Sequence, residues 1–121
     1  MKILVAEDNV MLLKTIELKL IKEGYEVFTT PDGRETMKEI IRLRPDMIIT
    51  DVMMPYSSGL EVINMVRQQL KWKTPIIILS AMEQEEVILN AFDLGADDYI
   101  TKPFSLNELV IRVKRLLNRA S

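Results

Sequence analysis

Five positions of the chain carry side chains suited to chemistry: the pair Glu7-Asp8, then Asp51, Ser80 and Lys102. The chain has no Cys and no His, so a thiol nucleophile, an imidazole base and a Cys- or His-ligated metal are excluded. Any resident metal must be a hard cation held by oxygens, and a partly hydrated acidic cluster suits Mg²⁺. An ammonium opposite such a cation suits a phosphoryl group, because both neutralise charge on the transferring oxygens. The candidate nucleophile is then a carboxylate, forming an acyl phosphate. Asp51 is the best choice, because it stands alone while Glu7 and Asp8 form a pair suited to holding the metal. Each residue also has an ordinary use. Asp8 or Asn9 suits a helix N-cap, Ser80 with Glu83 a capping box, Asp51 with Pro55 a turn, and Lys102 a solvated loop. A set of clustered like charges with one ammonium weighs toward a functional site.

The elements that position these residues are legible from hydrophobic periodicity. Ile3–Ala6, Met47–Ile49 and Ile76–Leu79 are continuous branched runs, the pattern of strands covered on both faces. Tyr25–Thr29 and Asp98–Thr101 are weaker strand candidates. Between and after them lie five helical stripes: Leu13/Ile16/Leu20, Met37/Ile40/Ile41, Val62/Ile63/Val66/Leu70, Val87/Ile88/Ala91/Leu94 and Leu109/Val113/Leu116. Gly24 and Gly95 mark two helix ends, Asp32–Glu35 one start, and Ser105–Glu108 has capping-box spacing at another. Strand and helix alternate five times, which predicts an α/β fold with right-handed crossovers, a parallel sheet and helices on both faces. Strand C-termini of such a sheet share one rim, where ligands bind. Residues 7, 8, 51, 80 and 102 all follow strands and are therefore predicted on that rim.

The chain's 121 residues, with 48% hydrophobic and 28% charged, predict a single domain over 1–121. Sixteen Lys and Arg against 18 Asp and Glu give a net charge of −2, which argues against direct nucleic-acid contact. No apolar run is long enough to span a membrane, and Glu7-Asp8 interrupts the N-terminal run too soon for a signal peptide. The expected compartment is the cytoplasm.

Taken in order, Glu7-Asp8, Asp51-Val52-Met53-Met54-Pro55 with Gly59, Ser80, and Gly95-Ala96-Asp97-Asp98-Tyr99-Ile100-Thr101-Lys102-Pro103-Phe104 resemble the receiver domain of bacterial two-component response regulators. The resemblance runs from Met1 to about Asn118. It implies a CheY-like, flavodoxin-like doubly wound (βα)5 sheet of order 2-1-3-4-5. It implies that Asp51 takes a phosphoryl group from a phosphohistidine of a sensor histidine kinase or histidine phosphotransfer protein. Glu7, Asp8, Asp51 and the Met53 backbone carbonyl are then the Mg²⁺ ligands, and Lys102 pairs with a phosphate oxygen. Ser80 swings in and Tyr99 follows from exposed to buried, which switches the face of helix four, strand five and helix five for an output domain or protein target. The resemblance also implies a cis Lys102-Pro103 bond. It implies further a signalling module that catalyses only its own phosphorylation and dephosphorylation, expected either as a stand-alone regulator or as one portion of a longer chain ending here at Ser121.

Departures from the family pattern refine these expectations. Between Glu83 and Thr101 there is no Lys or Arg, only acidic charges. Relatives that dimerise through helices four and five pair a helix-four cation with a helix-five Glu. Glu108 would be that Glu here and Asp98 with Arg112 a second pair, but the cation is missing. The expectation is a monomer or a basic partner in place of a full phosphorylation-dependent dimer of that kind. Met53 and Met82, each two residues beyond Asp51 and Ser80, are expected to obstruct attacking water and prolong the phosphoryl group, unless they only fill gaps. The cations of the last helix suit its C-terminus. A haloacid-dehalogenase-type Mg²⁺-dependent phosphatase is the main alternative, but it requires a second Asp where Met53 stands. A flavodoxin-type flavin carrier fails because Glu7-Asp8-Asn9 would repel its phosphate.

Overall fold

The structure, a computed structural model, describes residues 1–81 and 85–120, with side chains as far as Asn118. Its elements run β1 (Lys2–Ala6), α1 (Val10–Lys22), β2 (Glu26–Thr30), α2 (Gly33–Leu43), β3 (Met47–Asp51), α3 (Gly59–Asn64), β4 (Ile76–Ser80), α4 (Glu85–Leu94), β5 (Asp98–Thr101) and α5 (Leu106–Ala120). The strands form one sheet in the order β2-β1-β3-β4-β5, and every neighbouring pair is parallel. This is the flavodoxin-like order expected from the resemblance.

Alternation along each strand divides the core between the two faces. Ile3, Val5, Met47, Ile49, Ile77, Leu79 and Ile100 pack with Ile16 and Leu20 of α1 and with Leu109, Val113 and Leu116 of α5. Leu4, Ile48, Ile76 and Ile78 face the other way, against Ile40 of α2, Val62 and Ile63 of α3 and Ala91 of α4. β3 and β4 are buried at every residue, which is why they read as continuous apolar runs.

Local signals set the helix ends. Asn9, not Asp8, caps α1 by accepting from the Leu12 N–H at 3.1 Å, so Asp8 is left to the rim. Asp32 caps α2 through the Glu35 N–H at 2.8 Å, and Ser105 Oγ accepts from the Glu108 N–H at 3.0 Å. The proposed Ser80–Glu83 box involves a residue outside those described. Gly24 and Gly95 follow α1 and α4 with φ of +100° and +119°, a conformation that glycine adopts without cost. The third helical stripe is not one regular helix. After Asn64 the chain winds through a π-helical turn, Met65–Gln69, with the Leu70 N–H bonded to the Met65 carbonyl at 2.9 Å. Met65, at the start of that turn, is buried beside Val66, although the 3.6-residue stripe did not include it.

That turn carries Arg67, whose guanidinium donates to the Gly95 carbonyl (3.0 Å), the Trp72 carbonyl (2.8 Å) and Asp97 (3.0 Å). Asp97 also accepts from the Ile76 N–H at 2.8 Å. Arg67 thereby joins α3, the start of β4 and the α4–β5 turn at the edge of the sheet opposite the acidic rim. Trp72 packs against the core on the side covered by α2, α3 and α4, with the Arg44 guanidinium 5.4 Å from its ring.

Candidate functional site

The sheet order reverses at β1, whose neighbours β2 and β3 lead in opposite directions, and a crevice opens there beyond the strand C-termini. Glu7 and Asp8 follow β1 directly, and Asp51 ends β3. Parallel pairing aligns Ala6 with Thr50, so the next residue of each strand, Glu7 and Asp51, emerges side by side. One carboxylate oxygen from each of Glu7, Asp8 and Asp51 lies within 4.8 Å of the others. Glu7 is fully buried, Asp51 is 6% exposed, and Asp8 opens to solvent.

Lys102 enters from the end of β5. Its Nζ lies 2.8 Å from Asp51 Oδ2 and 2.6 Å from Glu7 Oε1. The contact with Asp51 is a hydrogen bond, whereas that with Glu7 Oε1 is an ion pair without good hydrogen-bond angles. The other Glu7 oxygen accepts from the Asn9 N–H at 3.1 Å. Burial pushes the Glu7 carboxyl above its ordinary value, and Lys102 and the Asn9 amide only partly offset this. Burial alone would lower the Lys102 pKa, but Asp51 and Glu7 together outweigh it and hold the ammonium above the ordinary lysine value. Three carboxylates face one ammonium, so a net deficit of positive charge remains. An all-oxygen donor set with this deficit, part buried and part open, fits a hydrated Mg²⁺.

The loop after Asp51 is fixed at both ends. The Gly59 N–H donates to the Val52 carbonyl at 2.8 Å, and a Cβ on Gly59 would fall 2.3 Å from the Asp51 carbonyl oxygen. Farther along, the Gly33 N–H of α2 donates to the Pro55 carbonyl at 3.1 Å. There is no room for a Cβ there either, because it would lie 1.8 Å from the Ser57 carbonyl oxygen. The Met53 N–H points to Asp51 Oδ1 at 3.3 Å. The Met53 side chain is 58% exposed; Met82, its expected companion, lies outside the described residues.

The remaining site residues sit close by but apart from this cluster. Ser80 ends β4, one residue beyond Leu79, the strand partner of Asp51. It is buried, and its carbonyl accepts from the Lys102 N–H at 2.8 Å. Tyr99 lies mid-strand in β5, half-buried against the α2–α4 face of the core. The Lys102-Pro103 bond is cis. Asp98 and Arg112 do pair, at 2.7 Å, but within one chain, and Arg115 joins them at 3.1 Å. Within the chain, α5 returns across β5 and brings these groups together. The Gly33–Ser57 approach was missed in the sequence, where Asp32-Gly33 reads only as a helix start.

A parallel sheet of this order with three acids and a lysine at its switch point defines a class. The chain belongs to the response regulator receiver domain family, whose model matches residues 3–114. The alkaline phosphatase synthesis transcriptional regulatory protein PhoP of Bacillus subtilis (strain 168) is 42% identical over 119 residues, covering 98% of this chain and 49% of that protein. The chain therefore spans about half the length of that curated relative. Among solved structures, the Francisella response regulator 1452 receiver domain superposes with a TM-score of 0.92 at 37% identity, covering 99% of this chain and 98% of the other. A putative response regulator from Chloroflexus aurantiacus J-10-fl gives 0.89 at 36% identity, covering 97% of each chain. The chain is thus a signalling domain of the two-component, phosphorelay kind, and the phosphatase alternative gains no support. Among the described residues, no helix is long and apolar enough to cross a membrane.

Proposed function

We propose that residues 1–121 form one receiver domain in which Asp51 is the phosphoacceptor. The observation that carries this reading is the convergence of Lys102 Nζ, 2.8 Å from Asp51 Oδ2, with carboxylate oxygens of Glu7 and Asp8 at the same point. An Asp51 carboxylate oxygen attacks phosphorus on a phosphohistidine of a sensor histidine kinase or phosphotransfer protein. The P–O bond forms as the P–N bond breaks, and the imidazole leaves with a proton. Glu7, Asp8, Asp51 and the Met53 backbone carbonyl would hold Mg²⁺, which when bound supplies positive charge to the transferring oxygens. Lys102 exchanges its carboxylate contact for a phosphoryl oxygen. Its ammonium stays charged throughout, since its neighbours hold its pKa high.

The donor must approach from the open side of the rim. There the first turn of α1 exposes Val10 and Met11, and a cleft of about 530 Å³ runs between Met11, Leu12 and Thr15 on one side and Pro103 and Phe104 on the other. Apolar walls beside a charged acceptor suit a protein donor. Transfer adds nearly two negative charges and three acceptor oxygens at Asp51. Ser80, at the end of the neighbouring strand, answers by moving its hydroxyl inward. Tyr99 then turns into the vacated space, and the α4-β5-α5 face changes for an output domain or target protein. The domain acts in the cytoplasm, makes no direct nucleic-acid contact, and catalyses only its own phosphorylation and dephosphorylation.

Intact mass after incubation with acetyl phosphate and Mg²⁺ tests the assignment. Wild type gains one phosphoryl group and Asp51→Asn gains none. Equal gain in both proteins would refute Asp51 as acceptor.

A further inference from the structure

The loop that follows Asp51 contains a conformation that needs an explanation. Tyr56 has φ of +73°, in the left-handed region that a bulky side chain rarely adopts. The Ser57 N–H donates to the Pro55 carbonyl at 3.0 Å, so Tyr56 is the centre of a three-residue turn. With positive φ this is the rare, strained form of the γ-turn. Tyr56 is also 71% exposed, so burial of its ring does not hold the turn.

Two contacts from α2 do hold it. The Pro55 carbonyl accepts a second hydrogen bond, from the Gly33 N–H at 3.1 Å. The next residue, Arg34, lays its guanidinium over the Tyr56 ring at 4.1 Å from the centroid. Arg34 has no ion-pair partner among the described residues, so its charge is directed to the ring. A strained turn persists when its surroundings over-determine it, and such turns cluster where a site must be pre-organised. Between this anchor and the Gly59–Val52 bond, the chain has only Met53 and Met54 to place. The Met53 backbone is the part of the loop assigned to the metal.

We propose that Arg34 and Tyr56 are positioning residues for the phosphoryl-accepting site: their stack holds the strained turn against α2 and thereby sets the Met53 backbone for Mg²⁺. This inference rests on the proposed receiver function and adds to it a pair that touches no reacting atom. Neither residue contacts Asp51, Lys102, Glu7 or Asp8, so the pair acts only through the loop.

The test is a MgCl₂ titration followed by backbone amide shifts of residues 51–57, run on wild type, Arg34→Ala, Tyr56→Ala and Tyr56→Phe. Losing the stack raises the Mg²⁺ dissociation constant about twofold to fivefold in both alanine variants, the range that an exposed cation–π contact can supply. Tyr56→Phe keeps the ring and retains the wild-type constant. In the absence of metal, the Gly33 and Ser57 amides exchange faster in Arg34→Ala than in wild type, while the urea midpoint stays the same because both side chains lie at the surface. Equal Mg²⁺ constants in wild type and both alanine variants would overturn the positioning role. Failure of wild type to bind Mg²⁺ at these amides would instead overturn the receiver reading on which it rests.

Discussion

Lys102→Met removes the ammonium from the acidic rim while keeping an unbranched side chain. In wild type that ammonium lies 2.8 Å from Asp51 Oδ2 and 2.6 Å from Glu7 Oε1, where the Asp51 side chain is 8% exposed and that of Glu7 is 0% exposed. Removing one partner of a buried ion pair costs about 3–5 kcal/mol, because a charge is left uncompensated. Here the cost is smaller. Lys102 is itself 21% exposed, so water replaces part of its effect, and Glu7 can take up a proton. About 2–3 kcal/mol remains, a fall in Tm on the order of 10 °C for a domain of this size. The charge count then decides how the loss responds to metal. With all three carboxylates ionised, as a bound cation requires, the site carries −3 + 1 = −2 in wild type and −3 in the variant. A divalent cation is therefore attracted more strongly to Lys102→Met than to wild type and restores most of the lost stability, while phosphoryl transfer remains impaired. Thermal melts with and without saturating MgCl₂, together with Mg²⁺ titration, provide the readout. A variant as stable as wild type without metal, or one whose deficit is the same with and without metal, would refute the electrostatic reasoning.

Glu7→Gln changes how stability depends on pH. Burial holds the Glu7 carboxyl above the ordinary glutamate value, so the folded protein retains a proton that the unfolded chain has released. That contribution is complete below the unfolded pKa and is lost as pH rises through the raised one. The stability of Glu7→Gln relative to wild type should therefore grow as pH rises from about 4.5 through the raised Glu7 value, as read from urea midpoints without metal; parallel curves would contradict it. Arg67→Ala abolishes three hydrogen bonds, at 2.8, 3.0 and 3.0 Å, and should cost about 2–3 kcal/mol in urea unfolding. Arg67→Lys should not restore this, since an ammonium cannot reach three acceptors set for a planar fork.

How much could be read from the sequence depended on the range of the interaction. β3 and β4 are covered on both faces, so their apolar runs identified them, and their neighbours Asp51 and Ser80 were assigned to the rim. Each proved to be the last residue of its strand, because pairing continues through Asp51–Leu79 and Ser80–Thr101. Residue type decided the composition of the acidic site once strand ends were known. The ambiguity over the α1 cap needed coordinates: both Asp8 and Asn9 suit it, and only the Asn9–Leu12 bond decides. Arg67 and Arg34 were not legible. Arg67 draws its acceptors from segments up to 30 residues away, and Arg34 meets Tyr56 across 22 positions, the difference of their numbers. Neither contact leaves a periodic trace. Asp98 and Arg112 were paired from the sequence as a contact between two copies, and within one chain their side chains already meet at 2.7 Å.

The Arg67 clamp has a mechanical consequence. It knots three segments together at the floor of the sheet, at the end remote from the acidic rim. A body fastened at its base can shift groups at its crown without loosening the strands that carry them. On the proposed function, a message written in charge at the top would be erased and rewritten without the molecule unfolding between readings.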